Sequence, residues 1–406
     1  MSRSLSYINV RDTLVNKESM DKIKIIFKSI LYVVFMVLSV ACAKDGGSPE
    51  DKKEDETDKL TAPYNNANIQ YEGRVDIKQQ DGAYLYWPGT AVRMKFSGTG
   101  VKAVLRDFSS NNDNYFQIII DGSPRGKLKL DKTKRQYTLA SNLGGGEHEV
   151  ELFKINHMNA GYARGYSVFY GFDVIGDGEV LDAPSLKERK IEFYGNSITC
   201  GRSNEDNTGA DSPASEYENN YLAYGAITAR HFEAQYHCIA MSGIGMTVGY
   251  TDVIMPELYD RLNPLEGSRK WDFTKYVPDI VVINLLQNDA SILNTPANNP
   301  SEFQKRWGGT QPTDQQLVTK YRSFIRTIRQ KYPQAHIICT LGSMNAVTFK
   351  NGRYADIIAD AVAAMNDSKV YVHLFAYKGT SGHPNVSEHR EMANSLIAFI
   401  EDNIDW

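Results

Sequence analysis

Between Ile69 and Ile175 the apolar positions fall in short runs, alternating or unbroken, and each run is cut by turn residues. Tyr84–Trp87 runs into Pro88-Gly89, Ala91–Phe96 into Gly98, and Tyr115–Ile120 into Asp121-Gly122. Val101–Leu105, Arg135–Leu139, a Gly144-Gly145-Gly146 turn, His148–Phe153 and Tyr166–Phe172 continue the series. Apolar positions do not recur at helical spacing here. Strands at this spacing with Gly-rich turns predict an all-β sandwich of jelly-roll type.

The texture changes across the Gly-, Asp- and Pro-containing stretch from Gly176 to Glu188. Beyond it strands alternate with amphipathic segments. Predicted strands are Ile191–Tyr194, Ala234–Ala240, Ile280–Leu285, Ala335–Leu341 and Val370–Phe375. Predicted helices are Tyr221–Glu233, Thr251–Arg261, Asp314–Tyr332, Tyr354–Asn366 and Ser387–Asn403. Such alternation implies a parallel sheet covered on both faces, whose ligands lie at the carboxyl ends of its strands. The expected organisation is multidomain, β followed by α/β: a sandwich over 64–178, a linker over 179–188 and a three-layer α/β domain over 189–406.

Chemistry is therefore sought just after strands. Ser197 follows Ile191–Tyr194 through Gly195 and Asn196, a suitable place for a nucleophile. A serine hydroxyl needs a base to take its proton, and His383 lies in the loop between the last predicted strand and the last helix. Two further strand ends offer donors for an oxyanion: the Met241-Ser-Gly-Ile-Gly245 turn through a glycine N–H, and Asn288 through its side-chain amide. Ser, Gly, Asn and His in that order, each after a strand of one parallel half, form a stronger signal than any of them alone.

With those residues in view the chain resembles the SGNH-type hydrolases, and more closely the two-domain deacetylases of carbohydrate esterase family 2. Gly195–Gly201, Ser242–Gly245, Asn284–Asp289 and His383-Pro-Asn385 carry the likeness in the α/β half. In the β half it is carried by Trp87–Thr90, Phe96–Gly100, Asn114–Phe116, Asp121-Gly122 and Gly146–Phe153, so that it covers about residues 70–403. The resemblance implies a jelly roll packed on a flavodoxin-like domain. It also implies a carboxylic ester hydrolase of the acetylxylan esterase kind, which removes acetyl groups from carbohydrate hydroxyls without a cofactor or a metal. Ser197 is then the nucleophile, His383 the general base and later acid, and the Ser197 N–H, Asn288 and a glycine N–H the oxyanion hole, with Gly243 favoured over Gly245.

The departures from the family pattern set further expectations. Asn196 stands where Asp is usual and is assigned to the substrate side. Leu286 replaces a glycine two residues before Asn288 and is expected to narrow the acyl pocket or push its loop outward. Thr380 occupies the place, three before His383, where such hydrolases commonly carry Asp. The expected relay is accordingly a Ser–His dyad, with Nδ1–H held by a backbone carbonyl near Thr380 or Ser381. The rival expectation is a surface glycan-binding lipoprotein whose esterase site has degenerated. Trp307, in an Asn-, Pro- and Gly-rich insertion after Asp289, is the aromatic expected to stack on a sugar face.

Composition narrows the partners. Over 406 residues, 42% hydrophobic and 23% charged, a net charge of −4 offers no basic field, so nucleic acid is not an expected partner. The chain is separately expected to be a monomer. Lys22, Lys24 and Lys28 precede an apolar run, Ile30–Ala41, shorter than the roughly 18 residues of a spanning helix. Ser39-Val-Ala-Cys42 resembles a bacterial lipobox, which implies export and lipid anchoring at Cys42, on the outer membrane, the cell surface or in the periplasm. Residues 1–42 form this signal, with Met20 a second candidate start, and 43–63 an acidic tether too poor in apolar residues to fold. Cys200, Cys238 and Cys339 suggest buried thiols rather than a disulfide framework. No His/Cys/Asp cluster has metal-ligand spacing.

Overall fold

The computed structural model describes residues 60–159, 161 and 165–406. The signal, Cys42 and the tether as far as residue 59 lie outside the described residues. From Leu60 to Trp406 the chain forms one compact unit.

Two antiparallel sheets make up the first half. One holds β1 (Ala62–Pro63), β3 (Val75–Asp76), β4 (Ala83–Leu85), β6 (Gly100–Asp107), β9 (Arg135–Ala140) and β11 (Ser167–Ile175). The other holds β2 (Gln70–Glu72), β5 (Ala91–Ser97), β7 (Tyr115–Ile120), β8 (Ser123–Lys129) and β10 (Glu147–Lys154). Leu85, Leu105 and Phe169 from the first meet Phe96, Phe116 and Leu152 from the second in one buried core. Alternation in the sequence therefore becomes inward and outward faces of a sandwich. The edge strand β8 is exposed along its length and carries Pro124, Arg125, Lys127 and Lys129, which discourages pairing with another chain. The chain already joins the sheet at Ala62, paired with Phe172, so an unfolded tether reaching residue 63 is too long.

The second half is a parallel sheet of β12 (Lys190–Gly195), β13 (Gln235–Ala240), β14 (Ile280–Asn284), β15 (His336–Leu341) and β16 (Val370–Leu374). Its order is β13-β12-β14-β15-β16, the 2-1-3-4-5 arrangement of flavodoxin-like sheets. Tyr194, Val281 and Ile283 face one core with Leu317, Phe324 and Ile328 of the helix Asp314–Lys331. Phe193, Ile280 and Val282 face the other, with Ile227 of the helix Tyr224–His231 and Leu396 and Ile400 of the helix Val386–Asn403. Burial on both faces explains the unbroken apolar runs of these strands. The reversal of strand order beside β12 opens a crevice at its carboxyl end, where Ser197 sits.

The halves share cores: Trp87 packs into the first of these clusters and donates its indole N–H to the Leu262 carbonyl at 2.7 Å, while Phe153 and Ile155 enter the second. Of the expected helix over 251–261 only Met255–Leu258 forms. Cys200, Cys238 and Cys339 are buried thiols.

His389, on the inner face of the last helix, is fully buried and accepts the Tyr224 N–H through Nδ1 at 3.2 Å. Burial, with the His383 and Lys378 charges, pushes its pKa down to about 3. The unfolded chain, near 6.5, takes up that proton first as pH falls. This contribution is therefore complete above pH 6.5 and is lost progressively toward pH 3, by about 2 kcal/mol on reaching pH 5. Urea unfolding at pH 7 and pH 5 should show that loss in the wild type and a smaller one in His389→Gln. Identical pH dependence in the two would contradict it.

Candidate active site

The turn after β12 is made by Gly195, where any Cβ would stand 1.9 Å from Thr199 Oγ1. Asn196 follows in an extended conformation and caps the short helix Ser197–Cys200, its Oδ1 accepting the Ile198 N–H at 3.1 Å. That strand-turn-helix fixes Ser197 at the floor of a cleft of about 570 Å³. Asn196 itself is buried, does not line the cleft and acts on the backbone, so the expectation that it meets substrate is corrected.

His383 arrives from the loop before the helix Val386–Asn403, and its Nε2 lies 2.7 Å from Ser197 Oγ. Behind it stands a carboxylate. Asp211 Oδ1 and Oδ2 are 2.8 and 3.0 Å from His383 Nδ1, and Oδ1 also accepts the His383 backbone N–H at 3.1 Å. The expected dyad without a carboxylate is thus corrected. Thr380, at the usual Asp position, turns away and donates to Glu388 Oε1 at 2.6 Å, while a loop 172 residues earlier in the chain supplies the acid.

The approach is close enough to need special backbone. Asp211 has φ +54° and Gly382 φ +70°, and a Cβ at 382 would lie 3.1 Å from that of Asp211. Burial alone would raise the Asp211 pKa, yet the His383 ring N–H, its charge and its backbone N–H, together with Arg202, hold the carboxyl well below the usual range. An ionised Asp211 places the imidazole proton on Nδ1, so Nε2 is the nitrogen free to accept from Ser197.

Gly243 and Asn288 line the same cleft. Gly243 has φ +84° and its carbonyl accepts the Tyr250 N–H at 2.7 Å. Gly245 is packed inside the turn, where a Cβ would meet the Val248 carbonyl at 1.8 Å, and does not line the cleft. Asn288 donates one amide N–H to the Ile244 carbonyl at 2.7 Å, which orients the group and leaves the second N–H for the cleft. Asp289, fully buried, accepts Met246 N–H, Thr247 N–H and Val248 N–H at 2.8, 2.6 and 3.1 Å, tying that turn to the helix Gln287–Asn294 that carries Asn288.

Two further expectations are corrected. Leu286 is 1% exposed with φ +80°: it turns the chain into that helix and packs in the core rather than narrowing the acyl pocket. Trp307 ends a helix, Pro300–Trp307, started by Asn299 and stopped by Gly308 in the left-handed region; it packs on the core under the Lys320 ammonium and does not line the cleft. The aromatic at the site is Tyr250, 46% exposed, with its hydroxyl 2.6 Å from Ser291 Oγ. Tyr250 and Gly243 also border a second cavity of about 570 Å³ to which the sandwich half contributes Asn159. The remaining lining is rich in amides, Gln287, Asn294, Asn298 and Asn345, with Arg202, Met344 and Phe349. Among the described residues no group of three or more His, Cys, Asp or Glu could hold a metal ion, and no helix is long and apolar enough to cross a membrane.

Residues 71–184 match the family model described as Carbohydrate esterase 2 N-terminal. Cellulase/esterase CelE of Acetivibrio thermocellus is 35% identical over 361 residues, 86% of this chain, although the chain spans only 41% of CelE. An acetylxylan esterase / glucomannan deacetylase of Cellvibrio japonicus is 25% identical over 347 residues, covering 84% of this chain and 90% of that protein. The solved structure of a family two carbohydrate esterase from Clostridium thermocellum, in complex with cellohexaose, is 33% identical with a TM-score of 0.72, covering 82% of this chain and 98% of that one. The chain belongs to carbohydrate esterase family 2.

Proposed function

We propose that the protein is a serine esterase that removes acetyl groups from the hydroxyls of a polysaccharide or oligosaccharide. The observation that carries this reading is the alignment of Ser197 Oγ, His383 and Asp211 at the floor of an open, amide-lined cleft. Ser197 Oγ attacks the acetyl carbonyl while His383 Nε2 takes its proton. The tetrahedral oxyanion is met by the Ser197 and Gly243 N–H groups and the free Asn288 N–H. Collapse expels the sugar oxygen, which regains the proton from Nε2, and leaves acetyl-Ser197. Water, activated by the same nitrogen, releases acetate.

Neutral hydroxyls suit side-chain amides, which both donate and accept, and Tyr250 offers a flat apolar face to a sugar ring. Relatives named for acetylxylan, glucomannan and cellohexaose support a β-linked plant-type glycan. Anchored by a lipid at Cys42, the enzyme would meet such a chain outside the cytoplasm. The non-catalytic alternative rested on a histidine without a carboxylate, and Asp211 removes that ground.

The test is acetate released from acetylated xylan and glucomannan, with labelling by a fluorophosphonate. Wild type should release acetate and label at Ser197, and Ser197→Ala should do neither. A wild type that labels nowhere and releases nothing leaves only glycan binding. Within this mechanism Asn288→Ala should lower kcat by about 10²-fold with KM little changed, since its donor acts where charge develops. A rise in KM at constant kcat would instead make Asn288 a substrate-binding group.

A further inference from the structure

The segment that presents Asp211, between the helix Ser197–Cys200 and Ser215, forms neither helix nor strand. Such a segment would ordinarily be too loose to hold a carboxylate within a few tenths of an ångström of its partner. Here one buried side chain gathers its polar groups. Asp206 Oδ1 accepts the Thr208 N–H at 2.9 Å and the Thr208 hydroxyl at 2.6 Å, and Oδ2 accepts the Ser212 N–H at 2.8 Å. The Ser212 carbonyl is held by Ser203 Oγ at 2.7 Å, and the Asp206 N–H returns to the Ser203 carbonyl at 3.0 Å.

The peptide that follows Asp211 is thus gripped at its N–H by Asp206, and the next carbonyl by Ser203. Asp211 itself adopts φ +54°, a left-handed conformation that its surroundings must impose. Asp206 does not line the catalytic cleft. Its hydrogen bonds reach the chemistry through the backbone of its neighbours.

We propose that Asp206 is a positioning residue for the esterase reaction: by holding the Ser212 N–H it aims the Asp211 carboxylate at His383 Nδ1. The proposal rests on the esterase reading above. Asparagine at 206 keeps nearly the same shape and one acceptor, but one of its two positions becomes an NH₂. Two Thr208 donors converge on Oδ1, so the one remaining amide oxygen stays with them and the NH₂ faces the Ser212 N–H. A shift of about 1 Å in a catalytic group costs on the order of 10²-fold in rate.

The test is a double-mutant cycle on hydrolysis of p-nitrophenyl acetate with wild type, Asp206→Asn, Asp211→Asn and the double variant, each with its melting temperature and with Ser197→Ala as the blank. Asp206→Asn should lower kcat by about 10- to 100-fold with KM within about twofold of wild type. The double variant should be no slower than Asp211→Asn alone, because one acts through the other. Thr208→Val, which leaves the Ser212 bond intact, should keep most of the wild-type rate. Should Asp206→Asn fail to fold, Ser203→Ala frees the Ser212 carbonyl and should show the same non-additivity with Asp211→Asn. Full kcat in Asp206→Asn, or losses that multiply in the double variant, would overturn the positioning role while leaving the esterase intact. A wild type no faster than Ser197→Ala would overturn both.

Discussion

Asp211→Asn should lower kcat by about 10⁴-fold while leaving KM close to wild type. The reason lies in the tautomer. In the native site the carboxylate can only accept, so Nδ1 must carry the proton and Nε2 is left to take the one from Ser197 Oγ, 2.7 Å away. An asparagine amide can donate to Nδ1, which drives the imidazole proton to Nε2 and presents Ser197 with a donor where it needs an acceptor. The carboxylate also stabilises the imidazolium that forms at the transition state, a charge the amide cannot balance. Neither effect touches the bound ester, hence the constancy of KM. The measurement is steady-state hydrolysis of p-nitrophenyl acetate at neutral pH beside Ser197→Ala. A loss of only a few-fold would mean that His383 works without its carboxylate, and that the close approach of Asp211 serves the loop rather than the reaction.

Asp211 is also the clearest case of what the sequence does not display. Ser197, Gly243, Asn288 and His383 each follow a predicted strand, and a parallel sheet brings such positions to one edge, so their meeting was legible. Asp211 lies in Asn204-Glu-Asp-Asn-Thr-Gly-Ala-Asp-Ser212, where every polar residue reads equally well as solvated loop. Its pairing depends on a left-handed turn and on contacts across 172 residues, for which local pattern carries no signal. Thr380 misled for the complementary reason: spacing from His383 was readable, but not that Thr380 turns toward Glu388. Trp307 was legible in part. Asn299-Pro300 at one end and Gly308 at the other are helix start and stop signals, and a helix there places the indole on the core. The period-two runs of the first half and the buried runs of the second are strands, as their patterns predict. The strands β1, β2 and β3 are two or three residues long and lie below what periodicity can detect, and β8, Ser123–Lys129, is mostly polar and shows no apolar alternation.

Arg74→Met should destabilise the protein by about 3–5 kcal/mol, the largest stability effect expected of any single substitution considered. Arg74 lies between β2 and β3 of the sandwich and is 1% exposed. It reaches into the α/β half, donating to the Tyr259 and Arg261 carbonyls at 2.6 and 3.1 Å and to Tyr194 Oη at 3.3 Å, and it stands 3.5 Å from Glu192 Oε2. Glu192 is on β12, the strand that ends in the nucleophile, and it also accepts from the Tyr194 and Tyr332 hydroxyls. Burial would drive both groups toward neutrality, yet each keeps its charge because of the other: Arg74 is raised and Glu192 lowered from their ordinary values. Methionine fills much the same space but leaves the Glu192 carboxylate buried without its cation and two carbonyls without their donor. Urea unfolding should report this as a lower midpoint. The pair then separates two causes. If the cost is an orphaned charge, Arg74→Met with Glu192→Gln should be at least 1 kcal/mol, roughly, more stable than the sum of the single losses allows. Losses that simply add would mean that Arg74 holds the two halves through its carbonyl partners alone.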